Sequence, residues 1–285
     1  MSSGLSIVKA HAYGNDFLLV ADDASAVRTG FGDGSALART LCNRHQGIGA
    51  DGLILYEFRT DGASMRLFNA DGSPSELSGN GVRCLAAAVA RRQRLSPGGI
   101  IEIQTDAGAK QLELLARDAT RYTFRAALGQ PEDIRQIAIP VQRETVTATV
   151  LRMGNPQCVV LGPLPEGARF QQLGPSLSTH SMFPAGTNVE FAHVETPDRV
   201  RILIWERGVG PTTSSGTGAC ASAVAAAAHG GASRETDIVA PGGTQRVEWR
   251  ADGVYLTGWA EIVLEGEWLL PTEREHELST ENREV

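Results

Sequence analysis

One pattern occurs twice in this chain, and it constrains the fold more than any other feature. Ser78-Gly-Asn-Gly-Val-Arg-Cys-Leu-Ala-Ala-Ala-Val-Ala90 and Ser215-Gly-Thr-Gly-Ala-Cys-Ala-Ser-Ala-Val-Ala-Ala-Ala227 both read Ser-Gly-x-Gly followed by an alanine-rich run, at an offset of 137 residues. The same offset lays Met65-Arg-Leu-Phe-Asn69 over Ile202-Leu-Ile-Trp-Glu206, two strand-like runs that each end in a polar residue. Near the start of each half, Gly14-Asn-Asp-Phe-Leu-Leu-Val20 resembles Gly154-Asn-Pro-Gln-Cys-Val-Val160 at an offset of 140. Gly-Asn turns and alanine-rich helices are common. Three matched segments in one order at nearly one offset nevertheless imply two domains built on one plan.

Each domain reads as α+β, with many strands around a few helices. Runs at Phe17–Val20, Leu53–Tyr56, Ile100–Gln104 and Thr145–Arg152 are β-branched or alternating and predict strands. Helical patterns cover Ala36–Asn43, Val82–Gln93 and Ala219–His229. The last two have wide, alanine-rich apolar faces, which suit a helix enclosed by a rolled sheet. The run Gly129-Gln-Pro-Glu-Asp133 breaks the pattern and divides the chain into an N-terminal domain, 1–130, and a C-terminal domain, 131–260, with a polar tail over 271–285.

Composition narrows the function. The 285 residues suffice for two domains, and 33 acidic against 26 basic side chains give a net charge of −7. An acidic chain without a basic run is not built for nucleic acid or an anionic membrane surface. No stretch of about 18 apolar residues occurs, and the N-terminus lacks a signal peptide's apolar core, so a soluble, cytoplasmic protein is expected. Cys42, Cys84, Cys158 and Cys220 form no Cys-x-x-Cys pair, and no histidine cluster stands at zinc-binding spacing. Reduced, buried thiols and no metal site follow.

The repeated motif has a chemistry. Gly-x-Gly opening a helix leaves backbone N–H groups exposed at the positive end of the helix dipole, where a carboxylate or phosphate binds. Neither copy is a nucleotide fingerprint. Two such termini converging across an interdomain cleft would hold a substrate carboxylate beside a developing enolate. Ser78 and Ser215 precede the two glycine motifs; by local sequence each is a helix N-cap, and as a pair at a pseudo-twofold cleft they address opposite faces of one carbon.

On His11-Ala-Tyr-Gly-Asn-Asp-Phe17, Phe68-Asn-Ala-Asp-Gly-Ser73, Gly79-Asn-Gly-Val-Arg-Cys84, Met153-Gly-Asn-Pro156, Gly186-Thr-Asn188 and Glu206-Arg-Gly-Val-Gly210 leading into Gly216-Thr-Gly-Ala-Cys220, the chain resembles the diaminopimelate epimerase family. The resemblance implies two similar domains, each an antiparallel sheet rolled around a central helix, with the active site between them and a C-terminal strand near 260–270 returning to the first domain. It implies interconversion of LL- and meso-diaminopimelate in lysine and cell-wall precursor synthesis without pyridoxal phosphate, other cofactor or metal, in a protein for which a homodimer is unsurprising. By motif, Asn15, Asn69, Asn155, Asn188, Glu206 and Arg207 fall on substrate-recognition positions, and the backbone at Gly79, Asn80, Gly216 and Thr217 on carboxylate-holding ones. An arginine grips a carboxylate in two-pronged fashion.

The sequence departs from the family where the family's chemistry is done. Its two catalytic cysteines correspond to Ser78 and Ser215, and its histidine beside the first of them to Gln157. A thiol ionises near pH 8.5 and lower at a helix N-terminus, whereas a serine hydroxyl needs an adjacent base. By motif, that base for Ser215 is Glu206. At Gly52 some members carry a glutamine. Three readings stand open on sequence: an epimerase altered at both positions to trap substrate, a divergent paralogue performing one-sided or other α-proton chemistry through Ser215 and Glu206, and an inactivated protein that only binds an amino acid.

Overall fold

The computed structural model describes residues 4–22, 33–142 and 144–269; the polar tail expected over 271–285 lies outside them. Among the described residues one continuous sheet of 17 strands runs through the molecule, and its hydrogen-bond pattern is written twice. In the first half the hairpin Leu5–Ala12/Asn15–Ala21 leads to a parallel partner, Gly52–Arg59, which pairs antiparallel with Gly62–Asn69, which in turn runs parallel to Ile100–Thr105. The second half repeats each step with Glu144–Arg152, Pro156–Leu161, Asn188–Thr196, Arg199–Glu206 and Glu235–Ala240. The sheet is thus mainly antiparallel, with two parallel pairings per half where a helix makes the crossover.

Among the described residues four α-helices follow the same duplication. α1 (Gly34–Cys42) and α3 (Gly167–Ser178) make the first crossover of each half, while α2 (Gly79–Gln93) and α4 (Gly216–Ala225) make the second. Every residue of α2 from Asn80 to Ala90 is buried, in a core supplied by Phe17, Ile54, Met65, Ile101, Leu112 and Phe124. α4 sits likewise among Leu151, Val159, Ile202, Ile204, Ile238 and Val247. Alanine makes this enclosure feasible, because a small side chain on every face lets strands close on all sides. The outer helices pack on the opposite face of the sheet, α1 against Leu18, Leu53 and Leu55, and α3 against Val146, Val189 and Phe191.

The halves exchange strands. Arg121–Gly129 pairs with the first part of the long strand Gly253–Trp268, forming the seam. Beyond the seam each chain segment crosses over: Glu132–Val141 pairs with Glu144–Arg152, and the end of the long strand pairs with Leu5–Ala12, Leu5 opposite Trp268.

The helical reading differs from the structure at three points. The runs read from Val82 and Ala219 begin at Gly79 and Gly216, so the glycine motifs that open the helices make up their first turns. α4 ends at Ala225 and passes into a π-helical turn, Ala226–Gly230. α3 has no counterpart in the sequence reading; Gly174 and an internal Pro175 weaken its helical signal, and packing of Leu173 and Leu177 supplies the stability that propensity does not.

Candidate active site

Ser78 and Ser215 both cap their helices. Ser78 Oγ accepts from the Gly81 N–H at 3.1 Å and Ser215 Oγ from the Gly218 N–H at 3.2 Å, each in extended backbone. The serine carbonyls take the next donors, Val82 N–H at 2.9 Å and Ala219 N–H at 3.1 Å. The first two N–H groups of each helix, on Gly79 and Asn80 and on Gly216 and Thr217, therefore have no acceptor among the described residues and stay available to an anion. The helices touch, and the buried Arg83 and Cys220 occupy equivalent places at the 137-residue offset.

The first-half wall is a chain of side chains. Arg83 donates to Asn80 Oδ1, Asn80 Nδ2 to Asn15 Oδ1 at 3.2 Å, and Asn15 Nδ2 to Asp51 Oδ2 at 2.8 Å. Asp51 is held in turn by Arg44 at 2.8 Å. Gly14, at φ +87, makes the turn that presents Asn15, and Gly154, at φ +78, does the same for Asn155. Asn69 stands apart; its Nδ2 donates to Ser73 Oγ at 2.9 Å. At Gly52 a Cβ would lie 2.9 Å from the Phe68 carbonyl, so this backbone position has no room for a side chain.

The second-half wall is richer in acid. Asn188, Glu190 and Glu206 share the sheet face that looks onto α4, through alternation along Asn188–Thr196 and its pairing of Glu190 with Ile204. Asn188 Oδ1 accepts from the Arg207 backbone N–H at 2.9 Å, and the exposed Arg207 guanidinium donates to the Ala185 carbonyl at 2.8 Å. The Glu206 carboxyl faces the hydroxyls of Ser215 and Thr212; burial raises its pKa above the ordinary carboxylate value, and those hydroxyls pull it partly back. A carboxyl raised in this way is better matched to taking up and giving back a proton than an ordinary one. Beneath it Glu190 is wholly buried, and burial, followed by the charge of Glu206, holds it well above the ordinary value.

The structure thus brings Asn15 and Asn80 together in one half, and Glu206 and Ser215 in the other. Asp51, Arg83 and Glu190 escaped the sequence reading. A signal existed for Glu190, a charged residue at an inward-facing place in a strand otherwise buried along Val189–Ala192. The four cysteines are free and buried. Burial pushes the thiols of Cys42, Cys84 and Cys220 up to about 12, so none takes over the role of an ionised thiol. Among the described residues no group of His, Cys, Asp and Glu is arranged to hold a metal, and no helix is long and apolar enough to cross a membrane.

A duplicated, helix-in-sheet fold with paired helix N-termini is shared with solved structures that include racemases and epimerases. A protein of Agrobacterium radiobacter K84 described as a probable proline racemase, solved with bound carbonate, superposes with a TM-score of 0.67 at 16% identity over 94% of this chain and 93% of its own. A hydroxyproline epimerase of Agrobacterium vitis, solved with trans-4-hydroxy-L-proline, gives 0.62 at 16% identity over 92% and 90%. The diaminopimelate epimerase family model matches residues 7–131 and 149–263. The diaminopimelate epimerase of Desulforudis audaxviator is 41% identical over 93% of this chain and 99% of its own, and that of Desulfitobacterium hafniense 37% over 92% and 97%. The chain belongs to the diaminopimelate epimerase family.

Proposed function

We propose that this protein is a diaminopimelate epimerase, a cofactor-independent isomerase that interconverts the LL and meso forms through two proton-transfer groups on opposite faces of the α-carbon. The observation that carries this reading is the pairing of Ser215 with Glu206 at one helix N-terminus, opposite a second terminus capped by Ser78. The substrate carboxylate next to the reacting carbon lies on the N–H pairs of Gly79, Asn80, Gly216 and Thr217, and Asn15, Asn69, Asn155, Asn188 and Arg207 receive the remaining amino and carboxylate groups. Ser215 Oγ takes the α-proton while its own proton passes to Glu206, and the electron pair left on carbon is delocalised into the bound carboxylate.

On the other face the Ser78 hydroxyl gives a proton to the carbanion, and solvent reprotonates the serine. Among the described residues Ser78 Oγ has the Gly81 N–H as its hydrogen-bond partner and no carboxyl beside it, so this is the slow side. The unequal pair favours a second, one-sided activity: exchange of the α-proton with solvent in excess over inversion. The same reading divides the chain into domains 1–130 and 131–260, the first completed by the strand near 260–270, and places a homodimer in the cytoplasm, in lysine and peptidoglycan precursor synthesis.

Incubation with LL-diaminopimelate and chromatographic separation of the isomers tests the activity; the meso form should accumulate. Thermal melting tests the binding. Ligand at about 100 times its dissociation constant adds about 2.7 kcal/mol to a fold that binds it. A melting temperature unmoved by either isomer would contradict the assignment.

A further inference from the structure

Glu190 is a buried acid that the proton-transfer scheme does not use. Its relative exposure is 0% and that of Gln157 is 1%. With its nitrogen turned to Glu190, the Gln157 amide donates to both carboxyl oxygens at 3.0 and 3.2 Å and accepts from Thr217 Oγ1 at 3.2 Å. Its oxygen then lies 2.6 Å from the Asn155 side chain, whose amide turns the same way so that Nδ2 donates to it. The carboxyl presses on the first turn of α4, where a Cβ on Gly218 would come within 2.6 Å of Glu190 Oε1.

The fold does not require this arrangement, because the first half does without it. Gly81 is the counterpart of Gly218, and a Cβ there would meet Ile54 Cδ1 at 3.1 Å and Phe17 Cε1 at 3.5 Å. The same bed under the same helix turn is hydrocarbon in one half and an acid–amide pair in the other. Burying an acid is costly where a well-packed apolar side chain serves the structure equally well. The residues the acid reaches, Asn155 and Thr217, are the ones assigned to substrate.

We propose that Glu190 is a positioning residue of the second-half binding wall: through Gln157 it fixes Asn155 and Thr217 relative to the free N–H pair of α4, and so sets the affinity for the amino acid. The inference rests on the reading of the cleft as a diaminopimelate site. The environment of Glu190 favours its neutral form, since burial and the charge of Glu206 both oppose ionisation. Gln is therefore its nearest stand-in, and Leu reproduces the apolar bed of the other half.

The test is calorimetric titration of the full chain with LL-diaminopimelate, alongside thermal melts of the same samples. Glu190→Gln should bind within about twofold of the parent, and Glu190→Leu about tenfold more weakly, a loss of about 1.4 kcal/mol, without a lower melting temperature. Gln157→Met, which cuts the link while leaving Glu190, should weaken binding to a similar degree and serves if Glu190→Leu does not fold. Parent-like affinity in the Leu or Met variant overturns this inference alone, as does equal weakening by Gln and Leu. Absence of binding by the parent chain overturns it together with the site assignment.

Discussion

Beneath the first turn of α2 lie Ile54 and Phe17, and beneath the first turn of α4 lie Glu190 and Gln157. The helices are otherwise counterparts, each capped by a serine and each opening on Gly-x-Gly. Behind the first turn of α2 the buried charge is positive, Arg83, with its pKa lowered by burial. Around α4 it is acidic, Glu190 and Glu206. Duplication thus supplied two equivalent helix termini, and divergence of the residues around them left, among the described residues, a carboxyl beside Ser215 and none beside Ser78. A symmetric fold carries asymmetric chemistry because a helix N-terminus needs only its cap and its free N–H groups, leaving the neighbouring strand positions free to differ.

The comparison can be broken most forcefully by restoring thiols. A Ser78→Cys, Ser215→Cys double variant should raise the rate of meso formation about 1,000-fold, within the range of a well-matched proton-transfer group, and Ser78→Cys alone should give most of that gain because Ser215 already has Glu206. Chromatographic initial rates decide this; equal gains from the two single variants would mean that the halves are chemically equivalent. Next in size, Glu206→Gln should slow α-proton exchange about 100-fold. In the parent the working form of Glu206 is the carboxylate, so exchange rises with pH, along a limb set above the usual carboxylate range by burial, and levels off once Glu206 is ionised. The variant should lose that limb.

Stability sharpens the contrast from another side. Gly218→Ala forces a methyl group onto the confined Glu190 carboxyl, and should cost about 2 kcal/mol by denaturant unfolding, as overpacking does. Gly81→Ala meets Ile54 with more room and should cost less. Smallest is Arg83→Met. It releases Asn80, and through it Asn15, and should weaken diaminopimelate binding about fivefold, roughly one net hydrogen bond. The melting temperature should hold, since the lost charge was buried without a carboxylate partner among the described residues.

The duplication, the two enclosed helices and both caps were legible because each rests on a short local pattern: Ser-Gly-x-Gly, an alanine-rich face, a Gly-Asn turn. The motif positions also led to Glu206 beside Ser215. What was not legible depends on contacts between distant segments. Arg83 reads as one more charged residue on a helix until the strand carrying Gly258 and the Tyr13 ring close over it. Asp51 gains meaning only through Asn15, 36 residues away. The exchange of strands at the seam leaves no trace in a local window, because Glu132–Val141 looks like a strand of either half. Even Gln157, noted as a departure, showed its role only when Glu190 was found beneath it.

The central claim is that Ser215 with Glu206 moves protons and Ser78 does so poorly. It is tested most directly by proton NMR of LL- and meso-diaminopimelate, each incubated with the protein in deuterium oxide, with the α-proton signal and the isomer ratio followed together. One isomer, the one whose α-proton faces Ser215, should take up deuterium faster than it inverts, and that excess should vanish in Glu206→Gln but survive in Ser78→Ala. Exchange that keeps strict pace with inversion from both isomers, or that persists undiminished without the Glu206 carboxylate, would contradict the account.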